Sequence, residues 1–379
     1  MATLNFLNQT VFDHGASQQL GLILAQHGIQ RPLLCTDQGL TALGMVSDLA
    51  GSLGNEAKLT IYDGTPENPT QSAVAEAVAT YHEADCDGVV AFGGGSSMDL
   101  AKAVALAVTH EGDLIEYTAG LGGVDKIGPV APLIAIPTTS GTGSEVSTGA
   151  VIIMDNGEKL ILASRHLVPR TAICDPILTV GLPPHLTAAT GMDAMTHCIE
   201  ALLSPVINPP AEAIACDGIE RGIQNGNLAR AVTDGADRDA RWHMMMAATE
   251  GAMAFSKGLG AVHSMSHACG ADKDLRLHHG TLNAVILPTI LDFNRDHVES
   301  KYSRLTAAMG IDASSDPANH IRKLNSELGL PANLSEMGVT ADAIPALAQH
   351  AAKDVCTFTN PRPCSADDYE QLYKVALAL

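Results

Sequence analysis

Between residues 31 and 137, short apolar runs alternate with helical stretches and with turns rich in glycine or proline. Four apolar runs predict buried strands, and the Ala, Val and Leu spacing of residues 71–83 and 99–108 predicts helices between them. A strand, a crossover helix and a second strand in succession are typical of a parallel α/β sheet. The predicted strands are residues 31–36, 58–62, 88–92 and 132–137. This pattern predicts an α/β N-terminal domain.

The periodicity changes after about residue 183, where long helical stretches replace the strand-like runs. Three prolines in the segment 175–184 interrupt both periodicities and mark the boundary. We therefore expect an α/β domain over residues 1–182 and an all-helical domain over residues 183–379. A cleft between two such domains is a preferred place for a ligand.

Charge, hydropathy and cysteine usage exclude several classes of protein. The 379 residues include 22 Lys and Arg against 42 Asp and Glu, a net charge of −20, which disfavours a surface for nucleic acid or for an anionic membrane. No apolar run is long enough to span a bilayer, and the N-terminus lacks the basic and apolar regions of a secretion signal. The 8 cysteines are scattered without a CxxC motif, as is usual for reduced thiols. We expect a cytoplasmic protein.

Two glycine-rich loops follow predicted strands. Residues 93–99 (GGGSSMD) lie before a helix, where free backbone N–H groups attract anions, and Ser96 with Asp99 fits a capping box. Residues 137–145 (PTTSGTGSE) offer many hydroxyl and backbone donors at the end of a strand. Taken alone, the first loop is more often a plain capped turn, and the second can be explained as a solvated polar loop. Together they favour a nucleotide or sugar-phosphate site, although neither matches the standard dinucleotide or P-loop fingerprint.

Asp37 follows the first predicted strand. A carboxylate there can accept a hydrogen bond from a ribose 2′-hydroxyl and repel a 2′-phosphate, although an isolated aspartate at this point is more often a turn residue.

A cluster of histidines in the helical half gives the strongest chemical signal. Asp193 and His197 are spaced i, i+4, His263 and His267 repeat that spacing, and His279 follows shortly after. A single histidine on an apolar helix face is usually a core residue, but a carboxylate with three or four imidazoles is better explained by a divalent metal such as Zn²⁺ or Fe²⁺. The absence of HExxH and GxSxG motifs gives no support to a hydrolase. A metal facing a nucleotide loop indicates Lewis-acid chemistry on a substrate oxygen.

These motifs, taken together, resemble those of the iron-containing (group III) alcohol dehydrogenase family over nearly the whole chain. The resemblance implies a Rossmann-like dinucleotide-binding domain, an all-helical metal-binding catalytic domain, and a catalytic cleft between them. The matching segments are PENPT (66–70), GGGSSMDLAK (93–102), IPTTSGTGSEVS (136–147), CDPILT (174–179), LTAATGMDAMTHCIEAL (186–202), GLGAVHSMSHACG (258–270) and HHGTLNAVILP (278–288).

The resemblance also implies roles for individual residues. The metal, Fe²⁺ or alternatively Zn²⁺, would be held by Asp193, His197, His263 and His279. His267 would lie beside the nicotinamide as a catalytic residue that relays a proton without binding the metal. Asp37 favours NAD over NADP. The contacts to NAD would be made by Asp37, Asn68, Gly94, Gly95, Ser96, Thr138, Thr139, Thr142, Ser147 and Lys159.

The sequence departs from the family pattern just before the last metal ligand. His278 stands where many members have proline, and we interpret it as a residue of the outer shell or the pocket wall. The segment before it is about two residues longer than in many members and carries Lys273 and Arg276. These two cations could hold an anionic end of a substrate, but a solvated loop with offset charges is the interpretation we favour.

The expected function is hydride transfer between NAD(H) and a small alcohol, aldehyde or ketone, some of them carrying an anionic group. The alternatives are an enzyme of the dehydroquinate-synthase or glycerol-dehydrogenase type on the same scaffold, and a metal- or nucleotide-binding protein without turnover. We expect a homodimer or a higher homo-oligomer, the default for soluble enzymes. The substrate, the reaction direction and the choice between iron and zinc stay open.

Overall fold

The computed structural model describes residues 2–5, 8–53, 57–271, 275 and 277–379, and of residues 2–5 and 299–300 it describes the backbone alone. The chain forms two compact units, Met1–Thr139 with Gly143–Thr179, and Ser140–Thr142 with Val180–Leu379. The last change from the first unit to the second falls between Thr179 and Val180, inside the proline-containing segment 175–184. Lys273 and Arg276, the two cations considered above for an anionic substrate end, lie outside the described residues.

The first unit contains nine strands among the described residues. They are β1 (Ala2–Asn5), β2 (Gln9–Phe12), β3 (Pro32–Cys35), β4 (Thr60–Tyr62), β5 (Gly88–Gly93), β6 (Leu133–Pro137), β7 (Gly149–Ile153), β8 (Lys159–Ala163) and β9 (Thr171–Cys174).

Seven of these strands form one sheet in the order β1-β2-β9-β6-β5-β3-β4. The neighbours from β2 to β4 pair in parallel, and β1 pairs antiparallel with β2. Strands β7 and β8 form a separate antiparallel pair. The parallel sheet predicted from β3 to β6 is confirmed, while β1, β2, β7, β8 and β9 were not predicted from the sequence.

Both faces of the central strands are buried, as in other parallel sheets. Along β5, Val89 and Ala91 face one apolar cluster, while Val90 and Phe92 face another. The helices of this unit are α1 (Leu20–Gln26), α2 (Gln38–Ala42), α3 (Met45–Leu53), α4 (Gln71–Glu83) and α5 (Gly95–Ala107). Helices α4 and α5 pack on the first face, and α1 and α3 pack on the second.

The second unit is built from helices joined by loops, with no strand among its described residues. Its core is built around α6, which packs against α7, α8, α9 and α11 and is buried on nearly all sides. No helix in the described part of the chain has the length and apolar character needed to cross a membrane. The helices are α6 (Pro184–Leu203), α7 (Pro209–Ile219), α8 (Asn227–Thr233), α9 (Arg238–Ala254), α10 (Ala261–Gly270), α11 (His279–Asn294), α12 (Glu299–Ala308), α13 (Pro317–Glu327), α14 (Ile344–Ala351) and α15 (Ala366–Ala376).

Candidate metal centre

Helix α6 contributes a carboxylate and an imidazole to a buried point in the second unit. Pro184 stands at the start of the helix, where its missing N–H costs nothing, and the helix runs unbroken to Leu203. The i, i+4 spacing then places Asp193 and His197 on one face, with Asp193 Oδ1 3.8 Å from His197 Nε2. Both of these polar side chains are buried among apolar neighbours. Such groups require a partner inside the core.

Helices α10 and α11 bring two more imidazoles to the same point. His263 is buried, and its ring stacks on that of His197 with 4.8 Å between centroids. His279, at the first position of α11, places Nε2 3.7 Å from Asp193 Oδ1. The ligand atoms of Asp193, His197 and His263 all lie within 4.8 Å of one another. The structure therefore brings together the four residues that the sequence predicts as metal ligands.

The donor set fits a divalent metal. One carboxylate oxygen and three imidazoles are the ligands that Fe²⁺ and Zn²⁺ accept, and they can leave a position open for a substrate. Burial lowers the pKa of His197 to about 4, so its ring is neutral and has a lone pair for a cation. The lone pairs converge on the side-chain amide of Asn283, whose Nδ2 lies 2.7 Å from Asp193 Oδ1 and 3.2 Å from the Nε2 atoms of both His263 and His279. An amide with two hydrogens against three acceptors marks a place suited to a cation.

Two groups outside the ligand set orient the imidazoles. Glu200 Oε2 lies 2.5 Å from His263 Nδ1, and its Oε1 accepts the backbone N–H of Val262 at 2.8 Å. Ser266 Oγ lies 2.9 Å from His279 Nδ1. The Glu200 carboxylate can only accept, so it fixes the His263 tautomer in which Nε2 is the metal ligand, while Ser266 fixes the orientation of the His279 ring. Burial opposes a charge on His263, but the Glu200 carboxylate beside Nδ1 outweighs it and raises the pKa of this imidazole.

Glu200 and Asn283 were not predicted from the sequence, although helix spacing identifies both. Glu200 lies on α6 one turn beyond His197 and is the only other acid in that helix after Asp193. Asn283 lies on α11 at i+4 from His279.

His267 lies beside the ligands without joining them. Its ring stacks on His279 at 5.3 Å between centroids and 13° between planes, and its Nδ1 lies 2.9 Å from Asp354 Oδ2. Burial alone would raise the pKa of Asp354, but His267 and the hydrogen bonds from His267 and Cys356 hold it well below its usual range. His278, interpreted from the sequence as pocket wall or outer shell, caps α11 by accepting the backbone N–H of Thr281 at 3.4 Å.

The predicted cofactor residues of the first unit lie around the start of α5. This helix begins after Gly94 without a side-chain cap, so its first N–H groups are available to an anion. A Cβ on Gly94 would lie 3.4 Å from Thr139, and Thr138 donates its backbone N–H to Gly93 at 2.9 Å, so the two glycine-rich loops are neighbours. Ser96 Oγ donates to the backbone oxygen of Glu67.

Four other residues predicted to contact NAD lie in three different surroundings. Lys159 Nζ donates to Asn68 Oδ1 at 3.1 Å, so these two lie together. Asp37 caps α2 by accepting the backbone N–H of Leu40 at 3.0 Å, a structural task that leaves one carboxylate oxygen. Thr142 belongs to the short segment that groups with the second unit.

Lys102 and Asp99 fasten the second glycine-rich loop to α5. Lys102 Nζ is buried and donates to Ser144 Oγ at 2.9 Å, to Ser147 O and Oγ at 2.9 and 3.1 Å, and to Gly149 O at 2.7 Å. Asp99 accepts from Ser144 Oγ at 2.9 Å and from the backbone N–H of Val151 at 3.0 Å. The predicted Ser96–Asp99 capping box is therefore wrong, because the loop competes for the Asp99 carboxylate. Burial lowers the pKa of Lys102 to about 8.

Comparison with known proteins covers nearly the whole chain. Residues 8–176 match the family model "Iron-containing alcohol dehydrogenase", and residues 187–377 match "Fe-containing alcohol dehydrogenase family, C-terminal". A 4-hydroxybutyrate dehydrogenase of Cupriavidus necator is 48% identical over 100% of both chains. An NAD-dependent methanol dehydrogenase of Bacillus methanolicus is 35% identical over 97% of this chain and 98% of its own. The solved structure of a 1,3-propanediol oxidoreductase superposes with a TM-score of 0.92 at 33% identity, covering 99% of this chain and 98% of its own.

Proposed function

The chain belongs to the iron-containing alcohol dehydrogenase family and is an alcohol or aldehyde oxidoreductase, and we propose that it uses NAD(H) and iron on a short ω-hydroxy carboxylic acid or the corresponding aldehyde. The metal ligands are Asp193, His197, His263 and His279. The observation that carries this proposal is the convergence of those four side chains on one buried point.

The chemistry divides between the bound groups and the protein. A divalent metal supplies a Lewis acid for the substrate oxygen, and the nicotinamide accepts or gives the hydride. Glu200 keeps His263 in the tautomer that offers Nε2, and Ser266 orients the ring of His279. During alcohol oxidation Nε2 of His267 would take up the hydroxyl proton, directly or through water.

The N-terminal unit, which we assign as Rossmann-like, holds the cofactor. The uncapped start of α5 at Gly95 suits the pyrophosphate, since its N–H groups and helix dipole favour negative charge. The carboxylate of Asp37 accepts from the ribose and selects NAD over NADP by repelling a 2′-phosphate. The remaining cofactor contacts of this proposal are the neighbouring pairs Gly94 and Thr139, and Asn68 and Lys159, together with Ser96, Thr138, Thr142 and Ser147.

Two observations support a substrate with a carboxylate. The relative at 48% identity over its whole length is named for 4-hydroxybutyrate, whereas the methanol dehydrogenase is 35% identical. The sequence also places Lys273 and Arg276 between His267 and His279, the only Lys or Arg residues in that interval. Asp272 and Asp274 offset these charges, and the sequence alone favours a solvated loop. The name of the relative at 48% identity is the reason to propose instead that the two cations hold the anionic end of the substrate.

The test is an anaerobic assay of protein loaded with Fe²⁺ or with Zn²⁺, following NADH with 4-hydroxybutyrate and with butan-1-ol, which lacks the carboxylate. We expect kcat/KM to be at least about tenfold higher for the acid, as one retained charged contact implies. The double variant Lys273→Ala/Arg276→Ala should remove that preference and leave butan-1-ol unchanged. Equal values for both alcohols would overturn the substrate class. NADH and metal binding without turnover of any alcohol or carbonyl would overturn enzymatic dehydrogenation.

We also propose a cytoplasmic homo-oligomer, in the simplest case a dimer. The eight cysteines are scattered along the sequence without a CxxC motif, as is usual for proteins of a reducing compartment. Light scattering of the purified protein measures the number of subunits, and a monomer would contradict this proposal.

A further inference from the structure

Asp354 meets His267 across 87 residues of chain. Asp354 precedes the short turn Val355–Thr359, and its Oδ1 accepts the backbone N–H of Cys356 at 2.8 Å. Its Oδ2 lies 2.9 Å from His267 Nδ1. The two oxygens therefore have separate tasks, one in holding the turn and the other in holding the imidazole.

The same turn is anchored to α10 at its other end. Asn360 Oδ1 accepts the backbone N–H of Ala261, the first residue of α10, at 3.1 Å, and Asn360 also exchanges hydrogen bonds with Asn294 of α11. Ser264 Oγ donates to Asp354 Oδ1 at 3.4 Å. Because the turn is fixed to α10 and α11, the position of Asp354 relative to His267 is rigid.

The contact determines which nitrogen of His267 carries the proton. A carboxylate only accepts hydrogen bonds, so Nδ1 must be the donor, and the neutral ring keeps its lone pair on Nε2. The ring plane is fixed independently by the stacking on His279. His267 is consequently held in one tautomer and one orientation.

A second metal site is a competing interpretation, since ligand atoms of His267, Asp354 and Cys356 lie within 4.8 Å of one another. The hydrogen bond between His267 and Asp354 already occupies two of the three groups. Burial raises the pKa of the Cys356 thiol well above its usual value, so it is not a ready thiolate ligand. The geometry favours a His–Asp pair.

We propose that Asp354 is a positioning residue for the dehydrogenase reaction, which orients His267 and keeps the lone pair on Nε2. This inference rests on the proposed role of His267 as the proton relay. Asp354 forms hydrogen bonds with His267, Ser264 and Cys356, and its charge also acts on His263.

The test compares Asp354→Asn, His267→Ala and the double variant as metal-loaded enzymes. The amide of Asp354→Asn can donate to Nδ1 and so stabilises the wrong tautomer. We expect kcat to fall about 10- to 100-fold, as when partners of site histidines are removed, with the KM for NADH, the Kd for NADH and the metal content unchanged. In the His267→Ala background the same change should have no further effect on kcat. Asp354→Glu should recover part of the loss.

The matched control is Asp316→Asn. Like Asp354, Asp316 accepts a backbone N–H two residues on, here at the start of α13, and this variant should keep wild-type kcat. Equal losses of kcat in the wild-type and His267→Ala backgrounds would show a merely structural role and overturn the inference. An unchanged kcat for Asp354→Asn would overturn it as well. If the wild-type enzyme itself turns over no alcohol or carbonyl, the proposed function fails rather than this inference.

Discussion

Gly280 of α11 and Ala189 of α6 approach so closely that a Cβ on Gly280 would lie 2.3 Å from the Ala189 carbonyl oxygen. The same Cβ would lie 3.2 Å from Cβ of Asp193. His279 precedes Gly280, so this contact sets the distance between the metal ligands of the two helices. A glycine, rather than a ligand, thus determines how near α11 can come to α6.

Gly280→Ala should therefore damage both the stability and the metal centre. The new methyl group meets backbone, which cannot rotate away, so the helices must separate at a cost of about 1–3 kcal/mol or more in the free energy of unfolding. Urea unfolding of the metal-free protein and metal content after reconstitution check this. Gly51→Ala is the control, because Gly51 lies in α3 with no atom within 4 Å of its Cβ position. Wild-type metal content in Gly280→Ala would contradict the argument.

Glu200→Gln should weaken metal binding. The amide keeps the shape of the side chain but loses the charge that stabilises the Nδ1 proton of His263, so we expect the metal Kd to rise about 10- to 100-fold. Competition with a chelator measures the change. The control is Glu250→Gln on α9, a half-buried glutamate whose partners include Asp217 and Arg221. An unchanged Kd for Glu200→Gln would show that this carboxylate does not support the metal.

Glu250 should make the free energy of unfolding depend on pH. Burial, followed by the hydrogen bond with Asp217, raises the pKa of Glu250 to about 9 from an ordinary value of 4.5. Between these values the folded chain holds a proton that the unfolded chain has lost. The stability is therefore highest below the lower value and falls as the pH rises, by up to about 1.4 kcal/mol per pH unit for one proton.

Urea unfolding across that pH window, for wild type and Glu250→Gln, measures this effect as a difference in slope. The variant should lose the decline, and the exposed-site control Glu83→Gln should keep it. Parallel curves for wild type and Glu250→Gln would mean that Arg221 keeps the carboxylate ionised.

Lys102→Met should weaken NADH binding without removing the metal. The substitution leaves the oxygens of Ser147 and Gly149 without their buried donor, so the loop that carries Ser147 loses its anchor on α5. We expect the Kd for NADH, measured by fluorescence titration, to rise by roughly tenfold, which corresponds to about 1.4 kcal/mol. Lys126→Met, at an exposed lysine, is the control. Equal Kd values for wild type and Lys102→Met would contradict the anchoring role.

Asp37→Ser should shift the preference from NADH toward NADPH. Serine retains the ability to cap α2, so the fold should not suffer, but the charge that repels a 2′-phosphate is lost. The ratio of kcat/KM for NADPH over NADH is the measurement, and a rise of about 10-fold or more is expected. Asp63→Ser, in the turn after β4, is the charge control. An unchanged ratio would place the selectivity elsewhere.

Local periodicity determined much of the fold and the core of the site. The apolar runs at β3, β4, β5 and β6 predicted a parallel sheet, since a strand buried on both faces needs a continuous apolar run. The i, i+4 spacing of Asp193 and His197 placed both on one helix face, because successive turns of a helix stack side chains. These features depend only on neighbours in the chain.

The tertiary structure alone decided which distant groups serve those residues. Asp354 reaches His267 over 87 residues, Glu200 reaches His263 over 63, and Asp99 leaves its own helix cap for a loop. Such pairings follow from how helices and loops pack, and several acids in the sequence could compete for each imidazole. The sequence therefore specifies which side chains share a face, whereas close packing, as at Gly280 and Ala189, selects which faces meet.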